Sequence, residues 1–418
     1  MDNFYIKGGV ALKGQVHISG SKNATLPIMA ASLMAADEVV LCGVPDLEDI
    51  NVMSDVLRLL GATVKRENDV LIIDSRNVNG VELPESMSRK MRASNLVMGA
   101  LLARFKKAAV AYPGGCAIGS RPMDLHLKGF RALGYHITDE CGVMFGEAES
   151  LGGQETLLDF PSVGATENIM MAAALTPGIT TLRNAAREPE IIDLQNFLNR
   201  MGARIRGAGL DTIRIEGVSR LHGVEHTVIP DRIEAGTFMV AAAITSGDVM
   251  IDNIVLEHIQ SLVAKLREIG VDISSNGSWV RVSGHQPMHS ADIKTMPYPG
   301  FPTDMQPQMM ALMSTVPGTS IMVETIFENR FMHVHELRRM GAEIKIEGRV
   351  AIIKGKEYLE GAAVEATDLR AGAALVLAGL KARGETRVGK LEHIDRGYEK
   401  LHCKLHNLGA DVQRKPAP

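Results

Sequence analysis

Six glycines at nearly equal spacing constrain the fold of this chain more than any other feature. Each follows an apolar residue at the end of a helix-like stretch and precedes Val or Ile by three positions. The glycines recur 68 to 73 residues apart, at Gly61, Gly134, Gly202, Gly270, Gly341 and Gly409. A glycine there is typical of a helix C-cap with positive φ, and a strand is predicted to follow. The pattern predicts six repeats of roughly seventy residues.

A second element recurs in the same repeats: an Ala- and Met-rich helix, a turn and a strand. It is clearest in residues 169–182, 239–251, 309–323 and 373–388. Small apolar residues around most of a helix require tight packing on several sides, so these helices are predicted to be interior. The repeats therefore indicate an α/β fold of two domains, each with three units and with sheets outside the helices.

Composition agrees with this division and excludes several classes of protein. A chain of 418 residues is too long for one ordinary core. With 45 Lys and Arg against 49 Asp and Glu, it carries no general basic field for nucleic acid. The cysteines are scattered without Cys-x-x-Cys spacing, which argues against a zinc site or a disulfide framework: Cys42, Cys116, Cys141 and Cys403. We find no signal peptide and no membrane span, so a cytoplasmic protein is expected.

Phosphate-binding and metalloprotease motifs (Walker lysine loop, Gly-x-Gly-x-x-Gly turn, His-Glu-x-x-His) do not occur, and four other clusters remain. In the first, Gly20 and Ser21 precede Lys22 and Asn23 at the predicted start of an apolar helix. Backbone N–H groups and a lysine charge there suit an anion. A plain N-cap with a solvated lysine fits the local sequence equally well.

The second cluster is the Gly- and Pro-rich segment 111–122, predicted to be an exposed loop. Its thiol, Cys116, is followed by Arg121 and can ionise or donate a proton, although a loop cysteine is more often incidental.

The third cluster is a set of isolated arginines at corresponding parts of the repeats. They are either surface residues or ligands that converge on a phosphate and a carboxylate. These arginines are Arg92, Arg121, Arg330, Arg370 and Arg396.

The fourth cluster is acidic and contains Asp304 and Glu328. Asp304 follows Pro302 and Thr303 and precedes an apolar helix, so it is first interpreted as an N-cap. The alternative is a general base directed at a substrate.

In this order the clusters resemble one family, the UDP-N-acetylglucosamine enolpyruvyl transferases. The resemblance covers essentially the whole chain, through segments 6–9, 19–24, 113–122, 184–190, 301–306, 328–333 and 393–398. It implies two inside-out α/β barrel domains, each of three repeated units with interior helices. The implied boundaries are 22–229 for the first domain and 1–21 plus 230–418 for the second, with the active site in the cleft between them.

The resemblance also implies an activity: transfer of the enolpyruvyl group of phosphoenolpyruvate to the 3-hydroxyl of UDP-N-acetylglucosamine, with release of phosphate. This is the first committed step of peptidoglycan precursor synthesis, and it needs no metal or redox cofactor. One alternative is the sister enzyme that acts on shikimate 3-phosphate. Another is a nucleotide-sugar-binding protein without turnover. An RNA-cyclase-like use of the fold is disfavoured by the acidic balance.

Site residues follow from the matched motifs. The residues expected to be catalytic are Cys116, Asp304 and Lys22. Cys116 matches the proton donor, which implies alkylation by the epoxide fosfomycin, and Asp304 matches the base. Residues matched to phosphoenolpyruvate binding are Lys22, Asn23, Arg121, Arg330, Arg370 and Arg396. Residues matched to the UDP-sugar are Arg92, Arg121, Pro122, Met123, Asp124, Leu125, Ser162, Val163, Gly164, Asp304 and Ile326. Phe160 and Pro161 stand where some relatives carry lysine and valine, so the uracil contacts of those relatives are not carried over to these two positions.

Overall fold

The structure is a computed structural model that describes residues 2–114, 118–119, 122–277 and 279–416. Within these residues it has the following strands: β1 (Asp2–Lys7), β2 (Lys13–His17), β3 (Glu38–Cys42), β4 (Thr63–Glu67), β5 (Val70–Asp74), β6 (Glu82–Leu83), β7 (Lys107–Ala111), β8 (Tyr135–Glu140), β9 (Val143–Ala148), β10 (Glu155–Leu157), β11 (Ile179–Arg183), β12 (Arg204–Arg206), β13 (Thr212–Glu216), β14 (Glu225–Thr227), β15 (Asp248–Asp252), β16 (Asp272–Ser275), β17 (Trp279–Ser283), β18 (Ile293–Lys294), β19 (Thr319–Val323), β20 (Glu343–Glu347), β21 (Val350–Lys354), β22 (Ala363–Glu365), β23 (Glu385–Gly389) and β24 (Asp411–Pro416).

The helices of the same residues alternate with the strands along the chain. The α-helices are α1 (Lys22–Ala31), α2 (Glu48–Leu59), α3 (Glu85–Ser88), α4 (Val97–Phe105), α5 (Asp124–Ala132), α6 (Val163–Ala174), α7 (Pro189–Arg200), α8 (Arg232–Ile244), α9 (Gln260–Glu268), α10 (Gln306–Met313), α11 (Val334–Arg339), α12 (Leu369–Lys381), α13 (Glu392–Asp395) and α14 (Leu401–Asn407). Short 3-10 turns lie at Ser32–Met34, Arg92–Leu96, Leu256–Ile259 and Thr303–Met305.

The chain divides into two compact units. The first unit comprises the described residues of 1–19, 117–120 and 230–418, and the second comprises those of 20–116 and 121–229. In the first unit the sheets have the orders β22-β23-β1-β24, β16-β17-β15-β2 and β18-β19-β21-β20. In the second they have the orders β10-β11-β13-β12, β14-β3-β5-β4 and β6-β7-β9-β8.

All six sheets share one pairing pattern. An edge strand pairs parallel with its neighbour, as β10 does with β11, and the other pairs are antiparallel, as in β11 with β13 and β13 with β12. The same pattern recurs once per repeat, because each repeat contributes the same elements. The predicted sixfold repetition is confirmed.

The six repeat glycines end helices in the way the sequence predicts. Their φ values lie between 86° and 105°. In the first repeat the Gly61 amide donates to Arg58 at 3.0 Å and the Ala62 amide donates to Leu57 at 3.0 Å, the two bonds of a Schellman motif. Any other residue at position 61 would have to adopt the same positive φ, and its Cβ atom would make that conformation sterically unfavourable. Each glycine therefore fixes the turn from a helix into β4 or its counterpart.

The Ala- and Met-rich helices are interior, as predicted. In α8 every residue from Ile233 to Ile244 is buried, and in α12 every residue from Arg370 to Leu380 is buried. Helices α8, α10 and α12 lie within the apolar core of the first unit, and α1, α4 and α6 lie within that of the second. Among the described residues, no helix is both long enough and apolar enough to cross a membrane.

Candidate active site

Lys22 lies in the second unit, at the N-terminus of an interior helix. Ser21 caps α1 by accepting a hydrogen bond from the Ala24 amide at 3.3 Å, which confirms the predicted cap. Lys22 is only 8% exposed, and its Nζ lies 3.3 Å from Oδ2 of the buried Asp49. The interpretation as a solvated lysine is therefore wrong. The ion pair holds an ammonium group beside a helix N-terminus, where both the charge and the backbone dipole favour an anion.

Asp49 was not among the residues singled out from the sequence. It lies in the first turn of α2, where an acidic residue is ordinarily explained by the helix dipole alone. Its role as the partner of Lys22 depends on the packing of α1 against α2, which local sequence does not reveal. Asn23 follows Lys22 in the first turn of α1 and is partly exposed.

Asp304 lies in the first unit between two buried arginines. Its Oδ1 is 3.0 Å from Nη2 of Arg330, and its Oδ2 is 3.2 Å from Nη2 and 3.3 Å from Nε of Arg370. Arg330 and Arg370 are 3% and 2% exposed. Two guanidinium groups directed at one carboxylate form a binding site (the seat) for a planar anion. In this structure the carboxylate of Asp304 itself occupies that site.

The interpretation of Asp304 as an N-cap is wrong. It lies inside the 3-10 turn Thr303–Met305, and α10 begins at Gln306 without a side-chain cap. Its carboxylate instead accepts charged hydrogen bonds from both arginines, which are stronger than one bond to a backbone amide.

Two further nitrogen atoms of these arginines could donate hydrogen bonds to a ligand. Nε of Arg330 and Nη1 of Arg370 are buried and have no hydrogen-bond partner within the described part of the chain. A buried charged donor without a partner costs free energy, and native proteins seldom leave one so. An anionic ligand with several oxygen atoms would supply the missing acceptors.

Glu324 organises the loops beside Asp304 and was missed in the sequence. It is 1% exposed, and its Oε1 accepts from the Ile326 amide at 2.8 Å while its Oε2 accepts from the Thr303 hydroxyl at 2.9 Å. One buried carboxylate thus ties Ile326 to the turn that carries Asp304. The signal was an acidic residue directly after the half-buried strand β19, but many such residues are simply exposed.

The residues matched to the UDP-sugar in the second unit gather at two helix N-termini. Ser162 caps α6 by accepting from the Ala165 amide at 3.4 Å, and Val163 and Gly164 form the first turn. Helix α5 begins at Asp124, directly after Pro122 and Met123, and Leu125 follows. A Cβ atom at Gly164 would lie 3.2 Å from Cε1 of His126 in α5, so the two first turns are in close contact. Paired helix N-termini suit a diphosphate.

His126 links these two helices through a buried amide. The Asn168 side-chain amide donates to its Nδ1 at 2.9 Å, and Oδ1 of Asn168 accepts from the Gly99 amide at 2.8 Å. Burial, together with the nearby charge of Arg92, lowers the pKa of His126 to about 3. The ring is therefore neutral at neutral pH and accepts a hydrogen bond at Nδ1.

We expect His126 to make the protein less stable in acid. Its pKa is about 3 in the folded chain, below the ordinary value for histidine, so the unfolded chain binds the proton first. Stability then falls as pH drops below about 6.5, and the loss at pH 5 is roughly 2 kcal/mol. His126→Gln removes this contribution, so its urea midpoint should change less between pH 7 and pH 5 than that of the wild type. The exposed His136→Gln is the control, and an equal pH dependence in both variants would contradict the assignment.

Several predicted site residues are placed with less detail. Cys116 and Arg121 lie outside the described residues. The neighbouring Ile118 belongs to the first unit, where its carbonyl accepts from the Asn329 amide at 3.1 Å. Arg396 follows α13 and is partly buried.

Within the described ranges, the side chains at the candidate sites are of the kind that binds anions. No group of three or more His, Cys, Asp or Glu residues there is arranged to hold a metal ion. The first unit contributes two guanidiniums, and the second contributes an ammonium and helix N-termini; all of these groups favour anions.

Comparison with known proteins identifies close relatives over the whole length. The family model described as EPSP synthase (3-phosphoshikimate 1-carboxyvinyltransferase) matches residues 6–405. The chain is 58% identical over 412 residues to UDP-N-acetylglucosamine 1-carboxyvinyltransferase 1 of Caldanaerobacter subterraneus subsp. tengcongensis, covering 99% of each. It is 54% identical over 414 residues to enzyme 1 of that name from Carboxydothermus hydrogenoformans, covering 99% of this chain and 98% of the relative. Enzyme 2 of the same organism is 56% identical over 418 residues, with 99% of each covered.

Solved structures of enolpyruvyl transferases resemble the fold of this chain. The enolpyruvyl transferase NikO from Streptomyces tendae matches with a TM-score of 0.90 and 26% identity, covering 100% of this chain and 99% of that one. An EPSP synthase from Acinetobacter baumannii matches with a TM-score of 0.76 and 19% identity, covering both chains completely. The inside-out α/β architecture expected from the sequence is confirmed by these likenesses and by the interior helices.

Proposed function

Because the chain belongs to the EPSP synthase family of carboxyvinyltransferases, and within it to the UDP-N-acetylglucosamine 1-carboxyvinyltransferases, we propose that it transfers the enolpyruvyl group of phosphoenolpyruvate to the 3-hydroxyl group of UDP-N-acetylglucosamine. The observation that carries this function is the identity of 54% to 58% with three such enzymes over nearly the full length. The product commits the sugar to peptidoglycan synthesis, so the enzyme serves cell-wall biogenesis, cell shape and division.

The reaction is an addition followed by an elimination. A proton is added to C3 of phosphoenolpyruvate, the sugar hydroxyl oxygen bonds to C2, and the hydroxyl proton passes to a base. The resulting tetrahedral ketal then loses a proton from C3 and expels phosphate from C2, which leaves the enol ether. Negative charge must be held in place throughout, which is the task of preorganised cations.

In this proposal Arg330 and Arg370 bind the carboxylate of phosphoenolpyruvate. The residues that bind its phosphate are Lys22, Asn23, Arg121 and Arg396. Cys116 donates the proton to C3.

Asp304 is the proposed base for the sugar hydroxyl, and its present contacts suggest how it is activated. In this structure it accepts from both Arg330 and Arg370. A substrate carboxylate that takes over these donors leaves Asp304 as a stronger base, because its negative charge is no longer shared with two guanidiniums. Binding of the substrate carboxylate to the two arginines thus also activates the base.

The proposed UDP-sugar site uses the N-termini of α5 and α6. Its members are Arg92, Arg121, Pro122, Met123, Asp124, Leu125, Ser162, Val163, Gly164, Asp304 and Ile326. The first turns of α5 and α6 offer backbone N–H groups to the diphosphate. The division into domains at residues 22–229 and 1–21 plus 230–418, a cytoplasmic location and the alkylation of Cys116 by fosfomycin also stay predictions.

A phosphate-release assay with two acceptors tests the function. Phosphoenolpyruvate and UDP-N-acetylglucosamine together should release phosphate, whereas phosphoenolpyruvate with shikimate 3-phosphate should not. Phosphate release only with shikimate 3-phosphate would show that the chain has the activity of the sister enzyme instead. Calorimetric binding of the UDP-sugar without any phosphate release would instead indicate a binding protein.

A further inference from the structure

We propose that Tyr398 is a positioning residue for Arg370: its hydroxyl joins two interior helices of the first unit, and its ring supports the guanidinium on a third. The inference rests on the proposed function, since Arg370 is assigned there to the carboxylate of phosphoenolpyruvate. Tyr398 follows α13 and is 2% exposed.

The hydroxyl of Tyr398 joins α8 to α10. It lies 3.0 Å from Oγ1 of Thr237 in α8 and 3.2 Å from Nε2 of Gln308 in α10. The Gln308 nitrogen is also 3.2 Å from the Thr237 oxygen. Three polar groups from separate parts of the chain therefore form a closed triangle inside an apolar core.

The directions of these hydrogen bonds can be assigned. The Thr237 hydroxyl donates to the Ile233 carbonyl at 2.8 Å, so its oxygen can only accept from its other neighbours. Tyr398 must then donate to Thr237, and its own oxygen accepts from the Gln308 amide. Because Tyr398 acts as donor and acceptor at once, a phenylalanine would remove one buried hydrogen bond from Thr237 and one from Gln308, which would then be held only by each other and by their own helices.

The ring of Tyr398 meets the third interior helix at Arg370, the second residue of α12. The guanidinium carbon of Arg370 lies 5.3 Å from the ring centroid, within the range of a cation–π contact. Burial raises the pKa of Tyr398 even though the charge of Arg370 opposes the shift, so the phenol is neutral at physiological pH. Nε and Nη2 of the same guanidinium contact Asp304.

The arrangement links one residue from each repeat of the first unit to the substrate seat. Gln308 and Arg370 lie in the first turns of α10 and α12, and Thr237 lies one turn further into α8. A shift of any of these three helices would move the ring and, with it, the guanidinium. Displacement of a binding group by about 1 Å is enough to cost up to 10²-fold in rate.

The test is Tyr398→Phe, with steady-state kinetics in both substrates. Loss of the hydroxyl lets the ring and Arg370 shift, so kcat/KM for phosphoenolpyruvate should fall about tenfold, mainly through KM. The KM for UDP-N-acetylglucosamine should change by less than about twofold, because no contact to that substrate is assigned to Tyr398.

The matched control is Tyr135→Phe in the second unit. Tyr135 is also 2% exposed, and its hydroxyl donates to the Leu102 carbonyl at 2.9 Å. This variant loses a comparable buried hydrogen bond, so it should show a similar loss of melting temperature but no change in KM for phosphoenolpyruvate. Equal KM values for Tyr398→Phe and the wild type would overturn the proposal, as would an equal rise in the control.

A second variant keeps the test valid if Tyr398→Phe does not fold. Thr237→Val removes the acceptor of the Tyr398 hydroxyl and keeps the ring, so it should raise the KM for phosphoenolpyruvate by a smaller factor. Unchanged KM in a folded Thr237→Val variant would contradict the positioning role. If the wild type releases no phosphate with UDP-N-acetylglucosamine, the proposed function fails, and the positioning role is then decided by calorimetric binding of phosphoenolpyruvate to the same variants.

Discussion

Replacing Asp304 with asparagine should lower kcat by about 10²- to 10⁴-fold, the usual contribution of a general base. The amide has nearly the same size but cannot take the proton of the sugar hydroxyl. The KM for phosphoenolpyruvate should fall or stay unchanged, because Asp304 now occupies the donors of Arg330 and Arg370 that the substrate carboxylate needs. A neutral amide competes less well for two guanidiniums than a carboxylate does.

The combination of a lower kcat with a KM that does not rise distinguishes this role from simple binding. Steady-state phosphate release gives both constants, and calorimetry gives the affinity for phosphoenolpyruvate directly. Asp272→Asn on the exposed face of β16 is the control for loss of a carboxylate in the same unit. If Asp304→Asn kept the wild-type kcat, the base would have to be another residue.

Replacing Lys22 with methionine should lower kcat/KM for phosphoenolpyruvate by at least about 10²-fold, because a preorganised charge on the phosphate is lost. It should also destabilise the second unit by roughly 3 to 5 kcal/mol, since the buried carboxylate of Asp49 loses its ion pair with Lys22. The ion pair is well shielded, with side-chain exposures of 10% for Lys22 and 5% for Asp49.

The two effects of Lys22→Met can be separated with a second substitution. The double variant Lys22→Met with Asp49→Asn removes both charges, so most of the melting temperature should return while turnover stays low. Differential scanning calorimetry and phosphate release on the same samples measure the two effects. Recovery of turnover together with stability would mean that Lys22 only supports the fold.

Local chemistry explains why the architecture could be predicted. A glycine C-cap depends on one residue's φ angle, so Gly61 and its five counterparts could be recognised in the sequence, and all six have positive φ. Interior helices could be recognised because their small residues extend all around the helix, as in α8 and α12.

Long-range pairing explains what the sequence did not reveal. Asp304 looks like a cap because Pro302 and Thr303 precede an apolar helix, but its partners lie 26 and 66 residues further along the chain. Asp49 and Tyr398 have the same difficulty: one is an ordinary acidic residue of a first helical turn, and the other is an ordinary core aromatic. Their roles depend on contacts between residues far apart in the sequence, which no local pattern records.

The most direct test of the proposed reaction is to identify its product in deuterated water. Phosphoenolpyruvate and UDP-N-acetylglucosamine are incubated with the enzyme, and the sugar nucleotide is analysed by mass spectrometry and proton NMR. We expect the mass of UDP-N-acetylglucosamine plus a carboxyvinyl group, an ether linkage at the 3-position and deuterium in the vinyl methylene, because C3 gains a solvent deuteron before it loses a hydrogen. An unmodified UDP-sugar, or a product without deuterium at C3, would contradict enolpyruvyl transfer by addition and elimination.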